Sequence, residues 1–308
     1  MAAMLAPMAP PPFPTPLERE KQPDLLMHED FDTLIGAAAM PKGFADKRVT
    51  ELMDLDGRVA VVTGGGGVNM GSACVDRLAS LGATVVALDL NGTAASAAAD
   101  AASAKWGVVT SSITADMTDY DAVREAARTV VDRHGRLDIW VNNCGLPMAY
   151  GRFQDVKPAD LRADIDVNLM SCLYGAHAAV QIMLAQGSGR IINFASVAGS
   201  IGRPDLAAYS AAKGGVIAFT RSLAFDLRGT GVTVAGVSPG LTIGAPLAAA
   251  LRDGPPEQLK TVVDAMSRIP ADRAGLAEEV ANMVAFLCTE AGSYVVGSTL
   301  PVTGGMGE

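Results

Sequence analysis

From Arg58 onward the chain repeats one unit: a short run of apolar, often β-branched residues, a turn, and a helical stretch. Runs at 58–63, 84–90, 108–113, 137–141, 189–194 and 232–237 predict strands, and the stretches at 72–81, 94–106 and 120–134 predict helices. Strands this uniformly apolar are covered on both faces, and connections holding a whole helix make neighbouring strands parallel. The expected fold is α/β: a single doubly wound parallel-sheet (Rossmann) domain over 55–308. Single α/β domains run to about 250 residues, so the length calls for no second one.

Residues 1–54 stand apart as an N-terminal extension. Up to about residue 23 it is rich in Pro, Ala and Met and predicts an extended or disordered arm. From Asp24 to Met53, Leu25, Leu26, Phe31, Leu34 and Ile35 lie among acids in a weak helical pattern, which reads equally as an oligomer arm or a tail. No basic segment precedes the first apolar residues and prolines interrupt them, so no signal peptide is expected. No apolar run reaches the roughly 20 residues of a spanning helix, and no membrane association is expected.

The 24 basic and 33 acidic side chains leave a net charge of −9, which argues against nucleic acid and anionic membranes and for a small dissolved substrate. The cysteines Cys74, Cys144, Cys172 and Cys288 form no CxxC pair. They suggest neither a metal site nor a disulfide framework, but reduced thiols in a cytoplasmic protein.

The stretch VVTGGGGVNMGSA (61–73) joins the first strand to its helix. Glycines there let the backbone approach a pyrophosphate, whose charge the helix N-terminus holds. Asp89 ends the next strand, in VVALDLN, where a carboxylate accepts hydrogen bonds from an adenosine ribose and repels a 2′-phosphate. No Lys or Arg lies in the glycine loop or directly after Asp89, so NAD(H) is favoured over NADP(H). A bland alternative is that Asp89 only caps the following turn.

Tyr209 and Lys213 lie four apart in a helical stretch and face the same way. An ammonium lowers a phenol's pKa from about 10 toward neutrality, so this tyrosine could exchange a proton with an alcohol or carbonyl. Ser196, thirteen residues upstream at a strand end, could hydrogen-bond the same substrate oxygen.

Over about 55–308 these segments resemble the short-chain dehydrogenase/reductase family. Thr63-Gly64 with Gly67 and Gly71 resembles its cofactor loop, and Val141-Asn142-Asn143-Cys144-Gly145 its Asn-Asn-Ala-Gly motif. Asn168, in DVNLMSCLYGA and twenty-eight residues before Ser196, matches the active-site Asn, and Ser196, Tyr209 and Lys213 complete the tetrad. Ser238-Pro239-Gly240 resembles the turn beside the nicotinamide, and Tyr294 to Gly305 the last strand and C-terminal turn.

The resemblance implies that Tyr209 is the general acid/base, that Lys213 lowers its pKa and holds the nicotinamide ribose, and that Ser196 orients the substrate oxygen. Asn168 would hold a water linking Lys213 to solvent. Asp116, with Met117 beside it, would contact adenine, Asn143 and Gly145 would line the cofactor groove, and Pro239, Gly240 and Thr242 would meet the carboxamide. From Thr63 to Gly82-Ala83 the loop and helix are one residue longer than usual. Within the longer loop, Asn69 is expected to hydrogen-bond the loop or a phosphate, and Met70 to cover the nicotinamide side.

Three positions depart from the pattern: Cys144 replaces an Ala, Thr303 stands where Asp is common, and LTIGAPL lacks a Thr three residues after Leu-Thr. The expected function is an NAD-dependent interconversion of a secondary alcohol and a ketone, with a 3-oxoacyl-type carbonyl reductase or a non-catalytic NAD-binding scaffold as alternatives. An enoyl reductase would show a longer Tyr-to-Lys spacing, and a sugar epimerase a larger C-terminal domain. The stretch 246–273 predicts a helical flap whose Leu, Val and Met residues suggest an apolar, cyclic or steroid-like substrate. A homotetramer is implied by the family alone.

Overall fold

The computed structural model describes residues 44–67, 69–244, 248–249, 252–254 and 256–307. The expectations for residues 1–43, like the parts of the flap at 246–247, 250–251 and 255, lie outside the described residues. The chain divides into units of 1–48 and 49–308. The turn of helix α1 (Val49–Leu52) therefore belongs to the larger unit, where Leu52 and Leu55 are buried and the Leu55 N–H donates to Leu81 O at 2.8 Å.

Seven parallel strands form one sheet: β1 Val59–Thr63, β2 Thr84–Asp89, β3 Thr110–Thr114, β4 Ile139–Asn142, β5 Gly189–Phe194, β6 Val232–Pro239 and β9 Thr299–Val302. Their order is β3-β2-β1-β4-β5-β6-β9, so the direction of winding reverses between β1 and β4. A crevice opens at such a switch point, beyond the strands' carboxyl ends. Two residues each from β7 (Thr242–Ile243) and β8 (Gly275–Leu276) pair separately.

One face of the sheet is covered by α2 (Met70–Ala79), α3 (Gly92–Trp106) and α10 (Ala277–Cys288), which bury Val75, Leu78, Ala95 and Val284 against alternate residues of β1, β2, β5 and β6. The other carries α4 (Tyr120–His134), α6 (Ser171–Gln186) and α8 (Ala207–Asp226), with Trp140 and Met183 fully buried. Strand residues alternate between the two clusters, Ala60 and Val62 to one and Val59 and Val61 to the other, which is why β1 is apolar from Val59 to Val62. Helix starts follow side-chain caps: Asn91 Oδ1 accepts from Ala94 N–H and Asp119 Oδ1 from Asp121 N–H.

The remaining helices are α5 (Pro158–Ile165), α7 (Val197–Ile201) and α9 (Pro256–Met266). α5 and α6 are joined by a π-helical turn at Asp166–Met170. The joined stretch Pro158–Gln186 is long and apolar enough to cross a membrane, which corrects the expectation that no segment is. In the fold it is a core helix: Cys172, Ala176, Ala179 and Met183 are buried.

Helix α2 begins at Met70 rather than Ser72, and β6 continues to Pro239. Within Tyr294–Gly305 the strand is Thr299–Val302, facing Gly236–Pro239, and a turn follows it, whereas Tyr294 is 99 % exposed. Before the strand, Gly297 turns with φ 68° and donates to Val234 O.

Candidate active site

The ends of β1 and β4 are tied at the switch point. Thr63 Oγ1 accepts the N–H groups of Asn143 and Cys144, both at 3.1 Å, and Asn143 Nδ2 donates to Thr63 O at 2.9 Å. In the glycine turn, Gly64 has φ 63°, and a Cβ there would lie 3.0 Å from Asn143 Nδ2 and 3.2 Å from Cys144 Cα. A Cβ on Gly71 would collide with Gly64 O, so a side chain at this point of α2 would force the turn open. Gly67 donates to Gly64 O at 3.1 Å and accepts from Ser72 N–H at 3.0 Å.

Asp89 is bound to this turn. Its Oδ2 accepts the Gly66 N–H at 3.0 Å and its Oδ1 the Asn91 N–H at 2.9 Å, so the bland reading of a turn-capping acid describes part of what it does. Both contacts hold the carboxylate at the rim of a groove of about 610 Å³.

Ten of the residues expected to bind a cofactor line that groove: Gly64, Gly67, Asn69, Met70 and Gly71 from the first turn, Asp89, Asp116 and Met117 from the next two strand ends, and Asn143 and Gly145 after β4. Asp116 Oδ1 accepts from the backbone and hydroxyl of Thr118, leaving its other oxygen exposed, while Met117 is buried. The Asn69 side chain makes no helix cap; its Oδ1 abuts Gly244 across the groove. Met70 packs on the core face of α2. Leu146, Met148 and Cys144 also line the groove and were not expected to. Only their position directly after the Asn-Asn pair could have signalled it. Pro239, Gly240 and Thr242 do not line it: Pro239 ends β6, and Thr242 Oγ1 donates to Gly240 O at 3.3 Å.

The tetrad candidates converge. Ser196 caps α7, with Oγ accepting from Ala198 N–H at 3.2 Å, and its hydroxyl is close enough to Tyr209 to act on the phenol's pKa. The approach of α7 to α8 needs Gly199, whose Cβ would lie 2.6 Å from Lys213 C. Lys213, 3 % exposed, donates from Nζ to Phe194 O at 2.8 Å and lies 5.8 Å from the centre of the Tyr209 ring. Asn168 sits in the π-helical turn, a local widening that often marks functional positions. Its Nδ2 donates to Leu146 O at 2.8 Å and to Asp164 O at 3.1 Å, while its buried Oδ1 has no partner. A Cβ on Gly145 would lie 2.7 Å from that Oδ1 and 3.0 Å from Lys213 Nζ, so these two polar atoms flank the same glycine.

Burial sets the ionisation. Lys213 is pushed down to about 8 by desolvation of its ammonium. Tyr209 is raised, chiefly by desolvation, with the nearby Ser196 hydroxyl opposing and Tyr150 and Asp164 adding to the rise. This departs from the expectation that Lys213 lowers the phenol's pKa: the ammonium points to Phe194 O, and the low-polarity surroundings outweigh it. Burial also pushes Cys144 up to about 11, the wrong direction for a nucleophilic thiol. All four cysteines are free, and no group of three or more metal-ligating side chains occurs among the described residues.

A second pocket, about 140 Å³, opens on Ser196 and Tyr209. Leu206, Leu241, Ala265 and Met306 make it apolar, Ala265 coming from the expected flap, and Gly240 reaches it too. Arg203 is the one charged side chain that lines it among the described residues. The 202–206 turn carrying Arg203 contains Asp205 at φ 61°, whose carbonyl accepts the Gly151 N–H at 3.0 Å.

A family model described as enoyl-(acyl carrier protein) reductase matches residues 67–307. The chain is 38% identical over 256 residues to a 3-oxoacyl-[acyl-carrier-protein] reductase of Synechocystis sp., covering 82% of this chain and 98% of that protein. It is 35% identical over 249 residues to the 2-dehydro-3-deoxy-L-rhamnonate dehydrogenase (NAD(+)) of Sphingomonas sp. (strain SKA58), covering 81% and 95%. A solved NAD+-bound xylitol dehydrogenase superposes with a TM-score of 0.76 at 31% identity, covering 81% of this chain and 99% of that one.

Proposed function

Because the chain belongs to the short-chain dehydrogenase/reductase family of oxidoreductases, we propose that it interconverts a secondary alcohol and a ketone with NAD(H). The observation that carries this reading is the meeting of Ser196, Tyr209, Lys213 and Asn168 at one corner, next to a glycine-walled groove. The residues fit a dinucleotide: Gly64 and Gly71 make a cradle that a Cβ would fill, and Asp89 stands at its rim. When bound, the nicotinamide gives or takes the hydride.

The chain supplies orientation and the proton. Ser196 Oγ holds the substrate oxygen, and the Tyr209 hydroxyl gives that oxygen a proton during reduction and removes it during oxidation. Lys213 Nζ holds the nicotinamide ribose and passes protons to Tyr209. Asn168 Oδ1, without a protein partner, accepts from the relay that leads from Lys213 to solvent. Asp89 favours NAD(H) over NADP(H).

The substrate has a largely apolar skeleton, matched to Leu206, Leu241 and Met306, and Arg203 suits an acidic substituent at its far end. A 3-oxoacyl thioester is the second reading, favoured by the likeness to the Synechocystis reductase. The enzyme acts in the cytoplasm as a homotetramer. An apolar groove of about 480 Å³ between α6 and α8, with Leu173, Val180, Phe219 and Leu223, supports such assembly. Sedimentation equilibrium showing a monomer would remove it.

A panel of secondary alcohols, ketones and an acetoacetyl thioester, followed by NADH absorbance, tests the reaction. Turnover of the first two classes is expected; turnover of the thioester alone selects the second reading. Binding of NADH with no turnover of any would leave a non-catalytic scaffold.

A further inference from the structure

Asp164, the fully buried acid at the end of α5, has no part in the reaction proposed above, and its surroundings are specific. The side chain is 0 % exposed. Its Oδ1 accepts the Met148 N–H at 2.9 Å, its Oδ2 the Ala149 N–H at 3.1 Å, and Asn168 Nδ2 donates to Oδ1 at 3.2 Å. All three donors are uncharged N–H groups, two of them backbone. A carboxylate left in the interior without such donors would be strongly disfavoured, so these contacts and the burial depend on one another.

The backbone donors belong to a loop that matters. Residues 146–149 follow Gly145 directly, and Leu146 and Met148 reach the cofactor groove while Ala149 is buried beneath. Leu146 O is itself an acceptor for Asn168 Nδ2, so Asp164, the loop and Asn168 form one closed network. Three acceptors in it face the NH₂ end of the Asn168 amide: Leu146 O, Asp164 O and Asp164 Oδ1. The amide oxygen is thereby turned toward Gly145 and Lys213. An aliphatic residue at 164 would leave two backbone N–H groups unpaired and remove one of the contacts that orients the amide.

We propose that Asp164 is a positioning residue: its carboxylate clamps the 146–149 loop over the cofactor groove and, through Nδ2, aims Asn168 Oδ1 at Lys213. The part concerning Lys213 rests on the oxidoreductase reading above; the part concerning the loop does not. A purely structural acid would affect folding alone, whereas this one also places a negative charge near the phenol of Tyr209. The other groups facing that phenol are Ser196 from α7, Tyr150 from the loop after β4, Lys213 on its own helix, and Arg203 at the shared pocket.

The test is Asp164→Asn in the full chain, which keeps the shape and removes the charge and one acceptor. Amide exchange at Met148 and Ala149, without cofactor, should quicken at least tenfold, and the NADH dissociation constant, read by fluorescence, should rise about tenfold. In alcohol oxidation, kcat should fall about tenfold with its alkaline-rising midpoint moved to lower pH, because a negative charge that raises Tyr209 is gone. Unchanged exchange and NADH affinity would overturn the clamp, and an unchanged pH midpoint would overturn the link to the tetrad. Should the variant not fold, exchange in the unaltered protein decides: Met148 and Ala149 amides as fast as exposed Tyr150 would overturn the clamp. Absence of turnover by the unaltered protein, with the exchange and affinity effects intact, would overturn the proposed reaction instead.

Discussion

Replacing Asp89 by Asn should relax the choice between NADH and NADPH, and the size of the effect follows from how the carboxylate is held. Gly66 N–H and Asn91 N–H bind its two oxygens at 3.0 and 2.9 Å, so the group cannot swing away to make room for an added phosphate. Two unit charges about 4 Å apart repel by about 1 kcal/mol in water and about 4 kcal/mol at the effective permittivity of a protein surface. A 2′-phosphate carries nearly two charges, which doubles those values to about 2–8 kcal/mol. Asp89 is half-buried, facing solvent on one side, so the lower part of the range applies, about 2–4 kcal/mol or roughly 30- to 1,000-fold in favour of NADH. Asn removes this repulsion but must point its NH₂ at one of the two backbone donors, losing about 1 kcal/mol of stability. The assay is kcat/KM with each cofactor at low ionic strength, alongside thermal unfolding. The NADH to NADPH ratio should fall to about 10 or less, mainly through improved use of NADPH, and added salt should narrow the ratio in the unaltered enzyme more than in the variant. An unaltered enzyme that prefers NADPH, or a variant with an unchanged ratio, would refute the argument.

Further outcomes follow from the same geometry. Tyr209→Phe should reduce kcat by about 10²- to 10⁴-fold while NADH affinity stays the same; retained activity would remove the acid/base role. Lys213 is held at about 8 in the fold against 10.5 when exposed, so the unfolded chain binds more protons between those values and this group's contribution to stability rises with pH through that window. Lys213→Met should therefore gain over the unaltered protein by roughly 3 kcal/mol more at pH 7 than above pH 10.5, measured by urea unfolding at each pH. Gly71→Ala, a substitution worth about 1 kcal/mol of added stability in an ordinary helix, should here lose about 1–3 kcal/mol and weaken NADH binding, because the new Cβ meets Gly64 O; a rise in Tm would contradict that collision.

The strand-and-helix rhythm was legible because burial on both faces of a parallel sheet leaves a period in the sequence itself. Helix α4 and strand β5 have the predicted bounds, 120–134 and 189–194, since each has its own cap or turn nearby. The last strand was less legible because Thr299–Val302 owes its length to what β6 offers beside it, not to its own residues. The helical stretch 158–186 was misjudged for a related reason: an apolar helix reads the same whether a sheet or a lipid would cover it.

At the candidate site, helical spacing paired Tyr209 with Lys213, because residues four apart share a face, and Ser196 stood out at a strand end thirteen residues upstream, whereas Asn168 was named only by the resemblance to the family. What spacing could not supply was the environment. Whether the Tyr209 phenol stands above or below its ordinary pKa depends on how deeply the fold buries it, which the residues around it in sequence do not reveal. That Asn69 would meet Gly244, that Asp89 would clasp Gly66, and that Asp164 would hold Met148, Ala149 and Asn168 likewise depended on which strand ends the topology brought together. The sequence by itself determined the repeating unit, the glycine turn and the candidate Tyr209–Lys213 pair, all set by local period and spacing. The tertiary structure alone decided their protonation, the clamp beneath the groove and the reach of the long loop, because those arise from contacts between segments whose adjacency exists only after the sheet is wound.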